Sequence, residues 1–173
     1  MKSAMQSSLC SSPDGGSDRS GKMGSGKSTY AKHLARDQKA LLLVQDELAA
    51  ALFPGEIKDI PSFVKYSGRL KSALFDHICD LLSQGVSVAL DFPGNTRNQR
   101  QWFRDLCERS NVAHELHYID ASDDLCKRQL RQRSEALPAG SAWTTDAEFD
   151  LITAYFEAPA DDEHFNVVRR ERT

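Results

Sequence analysis

The chain has 173 residues and a formal net charge of −3, which fits one soluble globular domain with a buried core. This charge gives no general attraction to nucleic acid or acidic membranes, and no apolar run approaches the roughly 20 residues of a membrane span. The first twenty residues lack the apolar stretch of a signal peptide. We therefore expect a cytoplasmic protein with neither a membrane partner nor a nucleic acid partner.

The four cysteines, Cys10, Cys79, Cys107 and Cys126, lie far apart and form no Cys-x-x-Cys pair. Cys79 and Cys107 fall on the apolar faces of predicted helices. This pattern predicts buried thiols in a reducing cytosol and not a disulfide framework.

Strands and helices are predicted to alternate after a polar N-terminal segment. Residues 1–20 are rich in Ser, Gly and Asp and are expected to form a flexible tail, with a single domain over 21–173. The predicted strands are 40–45, 86–90, 112–119 and 165–168. The predicted helices are 27–37, 46–53, 62–84, 96–109, 122–135 and 146–156. This alternation predicts an α/β domain with a mostly parallel sheet.

The segment from Gly21 to Ser28 fits the pattern Gly, four residues, Gly-Lys-Ser. Glycines allow backbone N–H groups to approach phosphate oxygens closely, and the following helix directs its positive end at them. The pattern predicts binding of a nucleoside triphosphate, ATP with Mg²⁺, with Lys27 on the β- and γ-phosphates and the Ser28 hydroxyl on the metal. The alternative is a Gly/Ser linker that matches by accident. Nucleotide contacts are expected from Gly21, Met23, Gly24, Ser25, Gly26, Lys27, Ser28 and Thr29.

A phosphate-binding loop normally follows a buried strand, but the residues before Gly21 are Ser17-Asp18-Arg19-Ser20. Two explanations are open. Either the tertiary context forces a poor strand here, or the true first strand is altered or absent in this chain.

Two aspartates follow apolar strands, and the carboxyl ends of parallel strands share one edge of the sheet. Asp91 is predicted to hold Mg²⁺, usually through water; the alternative is a solvent-facing aspartate at a strand end. Asp46 is predicted to be a general base that accepts a proton from an acceptor hydroxyl. It could also cap the following helix, a role that Asp serves well.

Basic residues follow later in the chain. Lys127, Arg128, Arg131 and Arg133 precede a loop that contains Pro138 and Gly140. They could form a mobile lid that stabilises the charge of phosphoryl transfer, or a solvated helix face. Arg97 and Arg100 follow the strand that ends at Asp91, and we favour Arg100 as the residue that orients acceptor or phosphate.

These residues resemble a family of small P-loop kinase-like proteins, often labelled AAA-family ATP-binding proteins. Its relatives are zeta-toxin-type kinases, chloramphenicol phosphotransferase and polynucleotide 5′-hydroxyl kinases. The resemblance spans Gly21 to Val168. Its marks are Gly21–Thr29, Asp46-Glu47, Leu52–Ile57, Leu90–Thr96 with Arg100, Leu130–Arg133, Glu148–Asp150, Tyr155-Phe156 and Phe165–Val167. The resemblance implies a P-loop NTPase fold with a doubly wound sheet, bound ATP and Mg²⁺, and a lid that carries Arg131 and Arg133. The chain departs from the family in lacking the strand before Gly21.

The leading hypothesis is an ATP-dependent phosphotransferase that acts on a hydroxyl of a small molecule. A second hypothesis is an ATP-binding, slowly hydrolysing switch with a protein partner, which would not need Asp46. A polynucleotide 5′-hydroxyl kinase is a third, although the acidic chain lacks the basic footprint of nucleic acid binding. The sequence names neither the acceptor nor the oligomeric state, because pocket shape and surface contacts decide them.

Overall fold

The computed structural model describes residues 3–4, 9–11, 20–21, 27–135 and 145–172. Within these ranges strands and helices alternate as the sequence pattern predicts. The strands are β1 (Ser3–Ala4), β2 (Leu9–Ser11), β3 (Ser20–Gly21), β4 (Leu41–Val44), β5 (Val88–Asp91), β6 (Ala113–Ala121) and β7 (Val167–Arg172). The helices are α1 (Lys27–Asp37), α2 (Gln45–Leu52), α3 (Ile60–Ser83), α4 (Arg97–Ser110), α5 (Asp123–Glu135) and α6 (Asp146–Ala154), followed by a 3-10 turn (Asp161–Glu163).

The strands join into one sheet whose main path runs β1, β6, β2, β5, β4. Strands β4 and β5 are parallel, with Val44 opposite Asp91. Strand β7 lies parallel to β6 along Leu116–Ala121. It starts two residues later and runs four residues further than predicted, because this long pairing with β6 extends it. Parallel pairs joined by helices are typical of an α/β sheet whose strands end at a common edge.

The N-terminal segment contributes strands, so the expectation of a flexible tail without a strand is wrong for these residues. Ser20–Gly21 forms β3 and pairs in parallel with Tyr118–Ile119 of β6. Leu9–Ser11 forms β2, which lies between β5 and β6 and is antiparallel to both. The backbone N–H and C=O groups of β5 and β6 need hydrogen-bond partners. Pairing with them imposes strand structure on β2 and β3, although the sequence around β3 has low strand propensity. The first of the two explanations for the unusual sequence before Gly21 is the one that the structure supports.

Apolar substitutions before Gly21 should stabilise the protein. We expect the triple variant S17V/D18I/R19V to melt at least about 9 °C higher, because each newly buried side chain adds about 1.5–3 kcal/mol and about 1 kcal/mol corresponds to about 2–4 °C. Circular dichroism melts measure the shift. The control D18S/R19S removes the same two charges without adding apolar surface. Equal melting temperatures for the two variants would contradict the prediction.

Local sequence signals explain where the two helices beside β5 begin. Helix α3 starts two residues earlier than predicted, because Asp59 caps it: the Asp59 carboxylate accepts from the Ser62 backbone N–H at 2.8 Å. Helix α4 starts after Thr96, which caps it: the Thr96 hydroxyl accepts from the Gln99 N–H at 3.2 Å. The two helices pack on β5 through one apolar cluster. Its fully buried members include Leu70, Ile78, Val88, Leu90, Phe92, Phe103 and Leu106.

One cysteine differs from the sequence-based expectation. Cys107, buried on α4, is disulfide-bonded, whereas Cys79 and Cys126 form no disulfide. The prediction of thiols without a disulfide is therefore wrong for Cys107. The spacing of cysteines along a chain does not report which distant segments folding brings together.

Every helix in the described ranges is too short or too polar to cross a bilayer.

Candidate nucleotide and acceptor site

The parallel pairing of β4 and β5 brings the two predicted carboxylates to one edge of the sheet. Asp91 is the last residue of β5 and lies opposite Val44, the last residue of β4. Asp46 follows two residues later, in the first turn of α2. The Asp91 residue is 8% exposed, while Asp46 keeps a solvent-exposed surface. One carboxylate is therefore enclosed by the sheet and the other reaches the cleft beside it.

Asp46 does not cap α2. The helix begins one residue earlier, its N-cap position is Val44, and no side chain bonds to its first backbone N–H groups. The expectation of an Asp46 cap is wrong, because the strand passes into the helix without the intervening residue that a cap needs. A carboxylate in the first helical turn is still favoured by the helix dipole, which leaves its oxygens available for chemistry.

The electrostatics of Asp46 show how close the site residues lie. Partial burial raises the pKa of the Asp46 carboxyl above its ordinary value, and the negative charge of Asp91 raises it further. The Lys27 ammonium acts in the opposite direction, and Glu47 adds a smaller increase. Asp91 and Lys27 therefore lie within electrostatic reach of Asp46, and the three residues make up the candidate cluster. A carboxylate with a raised pKa is a better proton acceptor than an ordinary aspartate.

The phosphate-loop segment leads from β3 into α1. Gly21 ends β3, and Lys27 and Ser28 open α1 with partly buried side chains, followed by the exposed Thr29. The predicted nucleotide contacts at Met23, Gly24, Ser25 and Gly26 lie outside the described residues. Helix α1 packs Ala35 against Ala89 of β5. The first turn of α1 therefore lies over the sheet edge that carries Asp46 and Asp91, where its free N–H groups favour an anion.

The side chains at this edge suit Mg²⁺ bound together with a nucleotide. Mg²⁺ prefers oxygen ligands and usually binds one or two carboxylates, substrate phosphates and water. Ser28 offers a hydroxyl, and Asp91 offers a carboxylate within electrostatic reach of Asp46. No group of three metal-ligating acids, histidines or cysteines occurs among the described residues. Phosphate oxygens and water would therefore have to complete the coordination of the ion.

Arg100 does not join this cluster. It is 1% exposed, and its guanidinium binds both carboxylate oxygens of Glu163 at 2.6 Å. It also donates to the carbonyl oxygens of Gly94, Glu157 and Ala158. The prediction that Arg100 orients acceptor or phosphate is contradicted, because its donors are occupied within the protein. It ties the loop after β5 to the segment before β7.

Loss of Arg100 should therefore cost stability. We expect Arg100→Leu to lower the free energy of unfolding by about 3–5 kcal/mol, because Glu163 is left as a buried unpaired charge. Urea denaturation measures the difference. The matched control is Arg97→Leu on the same helix, which breaks an exposed ion pair with Asp162 at 2.7 Å and should change stability little. Similar losses in the two variants would contradict the structural role.

The lid arginines lie on α5, at the start of a segment that is only partly described. Arg131 forms an ion pair with Asp146, the first residue of α6. This pairing raises the pKa of the Arg131 guanidinium. Lys127 pairs with Asp150 at 2.6 Å. The side chain of Arg133 and residues 136–144 lie outside the described part of the chain. In this structure, Arg131 is thus held by α6 and not by Asp46 or Asp91.

Sequence reasoning missed a cavity beside the carboxylates. Its wall includes Gln45, the neighbour of Asp46, together with Lys71 of α3 and Trp102 of α4. Gln45, Lys71 and Trp102 belong to none of the motifs that mark the site in the sequence. A polar residue directly before Asp46, at the end of a buried strand, was the one available signal.

The sequence profile of the AAA domain family matches residues 20–159, which is most of the chain. The chain belongs to this family. A crystal structure described as a "putative kinase" from Chloroflexus aurantiacus J-10-fl is similar, with a TM-score of 0.61 and 16% identity over 85% of this chain and 82% of that one. No curated protein sequence matches the chain. At that identity the structural likeness concerns the fold, and with the family it shows a P-loop NTPase α/β fold. Membership of this family, together with the carboxylates of Asp46 and Asp91 at the strand ends, supports a nucleotide-binding protein that resembles kinases.

Proposed function

We propose that this AAA-domain protein is an ATP- and Mg²⁺-dependent phosphotransferase that acts on a hydroxyl group of a small molecule. The observation that carries the proposal is the pair of carboxylates at one sheet edge, with Lys27 close enough to shift the pKa of Asp46. A nucleotide-binding site needs one carboxylate for the metal. A second one with a raised pKa, exposed beside it, suits an acceptor that must lose a proton.

Each residue has a distinct proposed role. Lys27 and the first turn of α1 hold the phosphates, while Ser28 and Asp91 hold the metal, directly or through water. When bound, ATP would supply the γ-phosphoryl group, and Mg²⁺ would offset the negative charge that develops on it. Asp46 accepts the proton of the acceptor hydroxyl as that oxygen bonds to phosphorus and the bond to the ADP oxygen breaks. Arg131 and Arg133 are proposed to stabilise the transferred group once the lid closes.

A phosphorylation screen tests this proposal. The protein is incubated with ATP, Mg²⁺ and panels of hydroxylated metabolites, and product formation is followed by mass spectrometry with Lys27→Ala as the control. A separate panel of 5′-hydroxyl oligonucleotides tests the polynucleotide kinase alternative. We expect transfer to a small molecule that is lost in the control. Slow ATP hydrolysis without transfer to any hydroxyl, unchanged in Asp46→Asn, would instead support the ATP-binding switch.

A further inference from the structure

A cavity of about 230 Å³ lies between α3, α4 and the ends of β4 and β5. It is flanked by Gln45, which precedes Asp46, and by Pro93, which follows Asp91 by two residues. Phe63, Val64 and Trp102 are among the apolar residues of its wall. Neither carboxylate lines the cavity, but the two flanking residues place it near the sheet edge that carries Asp46 and Asp91. Its volume is below the roughly 300–1,000 Å³ of sites for drug-sized ligands. It suits a compact metabolite with an apolar body.

Three polar groups of the cavity wall lack a counterpart among the described residues. Gln45 is 1% exposed; its amide nitrogen donates to the Ser67 hydroxyl at 3.0 Å, but its amide oxygen has no donor. The buried indole nitrogen of Trp102 has no acceptor. Buried polar groups are nearly always hydrogen-bonded, and two orphan groups on one cavity wall indicate that a ligand supplies their partners.

Lys71 is the third group. Its ammonium lies 5.1 Å from the centre of the Trp102 ring and 5.3 Å from that of Phe103, and it forms no ion pair or hydrogen bond with another described residue. Burial lowers the pKa of Lys71 to about 8. Keeping a mostly buried cation without a counter-charge destabilises a fold. Its presence on a cavity wall is explained if the cavity receives an anion.

We propose that this cavity is the acceptor subsite and binds a small hydroxylated carboxylate, with the carboxylate at Lys71 and the hydroxyl group towards Asp46. Gln45 and the Trp102 indole would fix the orientation of the polar atoms, and the apolar walls would enclose the carbon skeleton. The direction of the hydroxyl rests on the proposed phosphotransferase function. The recognition of a carboxylate does not, because it follows from Lys71 alone.

The charge of the wall favours a carboxylate over a phosphate. Among the described residues, no titratable side chain other than Lys71 lines the cavity. One ammonium balances one negative charge, so a monoanion is neutralised on entering the apolar site. A phosphate dianion would keep an uncompensated charge. Phosphate sites often use arginines, and none lines this cavity among the described residues.

Calorimetric titrations without nucleotide test the site independently of phosphoryl transfer. The probes are 3-hydroxybenzoate and 4-hydroxybutanoate, their primary amides, and glycerol phosphate. We expect at least one carboxylate to bind more tightly than its amide. Lys71→Met should weaken that carboxylate by about 10- to 100-fold, the range of a hydrogen bond to a charged group, and leave the amide unchanged. Lys71→Arg should retain the preference. The matched control Lys65→Met removes an exposed ammonium of α3 that lies over Tyr66, outside the cavity.

Stability gives a readout that does not depend on the choice of probe. If Lys71 is an unpaired cation, Lys71→Met should raise the free energy of unfolding at pH 7. The folded-state pKa of about 8 lies below the ordinary 10.5, so the unfolded chain binds more protons between these values and wild-type stability recovers as pH rises. The gain of the variant should therefore shrink between pH 8 and pH 10.5. Lys65→Met should show no such trend.

The possible outcomes separate the site from the reaction. Failure of both carboxylates to bind, equal binding of carboxylate and amide, or equal effects of Lys71→Met and Lys65→Met would overturn the proposal. Tighter binding of glycerol phosphate would overturn the carboxylate assignment. A carboxylate that binds through Lys71 but is never phosphorylated would support the subsite and count against the phosphotransferase. Phosphoryl transfer to a neutral acceptor, at a rate that Lys71→Met leaves unchanged, would support the phosphotransferase and count against the carboxylate subsite.

Discussion

Lys27→Ala is expected to lower ATP-dependent turnover by at least about 10²–10³-fold, the effect of removing one preorganised donor from a transition state. Lys27 opens α1, and its ammonium lies near enough to Asp46 to lower the pKa of that carboxyl. It therefore lies within electrostatic reach of the carboxylate pair. The measurements are nucleotide affinity by calorimetry and turnover with any acceptor found in the screen.

The control for this variant is Lys32→Ala on the same helix. Lys32 is exposed and pairs with Glu47 at 3.1 Å, so its loss tests a general change in surface charge near the site. We expect this variant to bind and turn over ATP normally. Thermal melts of both variants should stay close to wild type, since neither side chain is part of the core. Unchanged ATP affinity together with normal turnover in Lys27→Ala would show that the site assignment to segment 21–28 is wrong.

The positions of Asp46 and Asp91 were predictable because the end of a short apolar run in the sequence marks the end of the strand. The short apolar runs 40–45 and 86–90 favour strands, and parallel pairing then places their last residues at one edge. The register of Val44 with Asp91 follows this logic. The helix patterns around β5 were also strong enough to locate α3 and α4 to within two residues at their starts.

The N-terminal strands and the role of Arg100 were not predictable for a common reason. Local sequence reports propensity and periodicity, whereas β2 and β3 exist because β5 and β6 offer them backbone partners. Arg100 looked like a free cation after a strand end, but its partner Glu163 lies 63 residues away. Contacts between distant segments do not appear in the local hydrophobic periodicity of a sequence. The sequence alone therefore does not show whether an arginine is buried or exposed.

Lys71 shows the same limit for function. Along α3 it is one of several basic residues, and Lys65 and Arg69 are close by in sequence. Only the packing of α3 against α4 separates them, because it covers Lys71 with Trp102 and Phe103 and leaves Lys65 exposed. The nucleotide half of the site is thus encoded in a local motif, while the acceptor half depends on how the helices meet.

Asp46→Asn is expected to lower phosphoryl transfer by about 10²–10⁴-fold, the contribution of general-base catalysis, and to spare ATP binding. Asparagine keeps the size of the side chain but cannot accept the proton of an acceptor hydroxyl. The substitution should not destabilise the fold, because Asp46 makes no cap bond in α2 and burial together with Asp91 already disfavours its charged form. Transfer rate and nucleotide affinity are to be measured on one preparation.

The dependence on pH distinguishes a base from a structural carboxylate. Since the pKa of Asp46 is raised, wild-type transfer should fall as pH drops through that raised value, and this acidic limb should vanish in Asp46→Asn. Glu47→Gln is the matched control: it removes the neighbouring acid of the same helical turn, which is exposed and pairs with Lys32, and it should keep both the rate and the limb. If Asp46→Asn retained wild-type transfer, the second carboxylate would have no catalytic task. The strand-end site would then be that of an ATP-binding switch, in which Asp91 alone serves the metal.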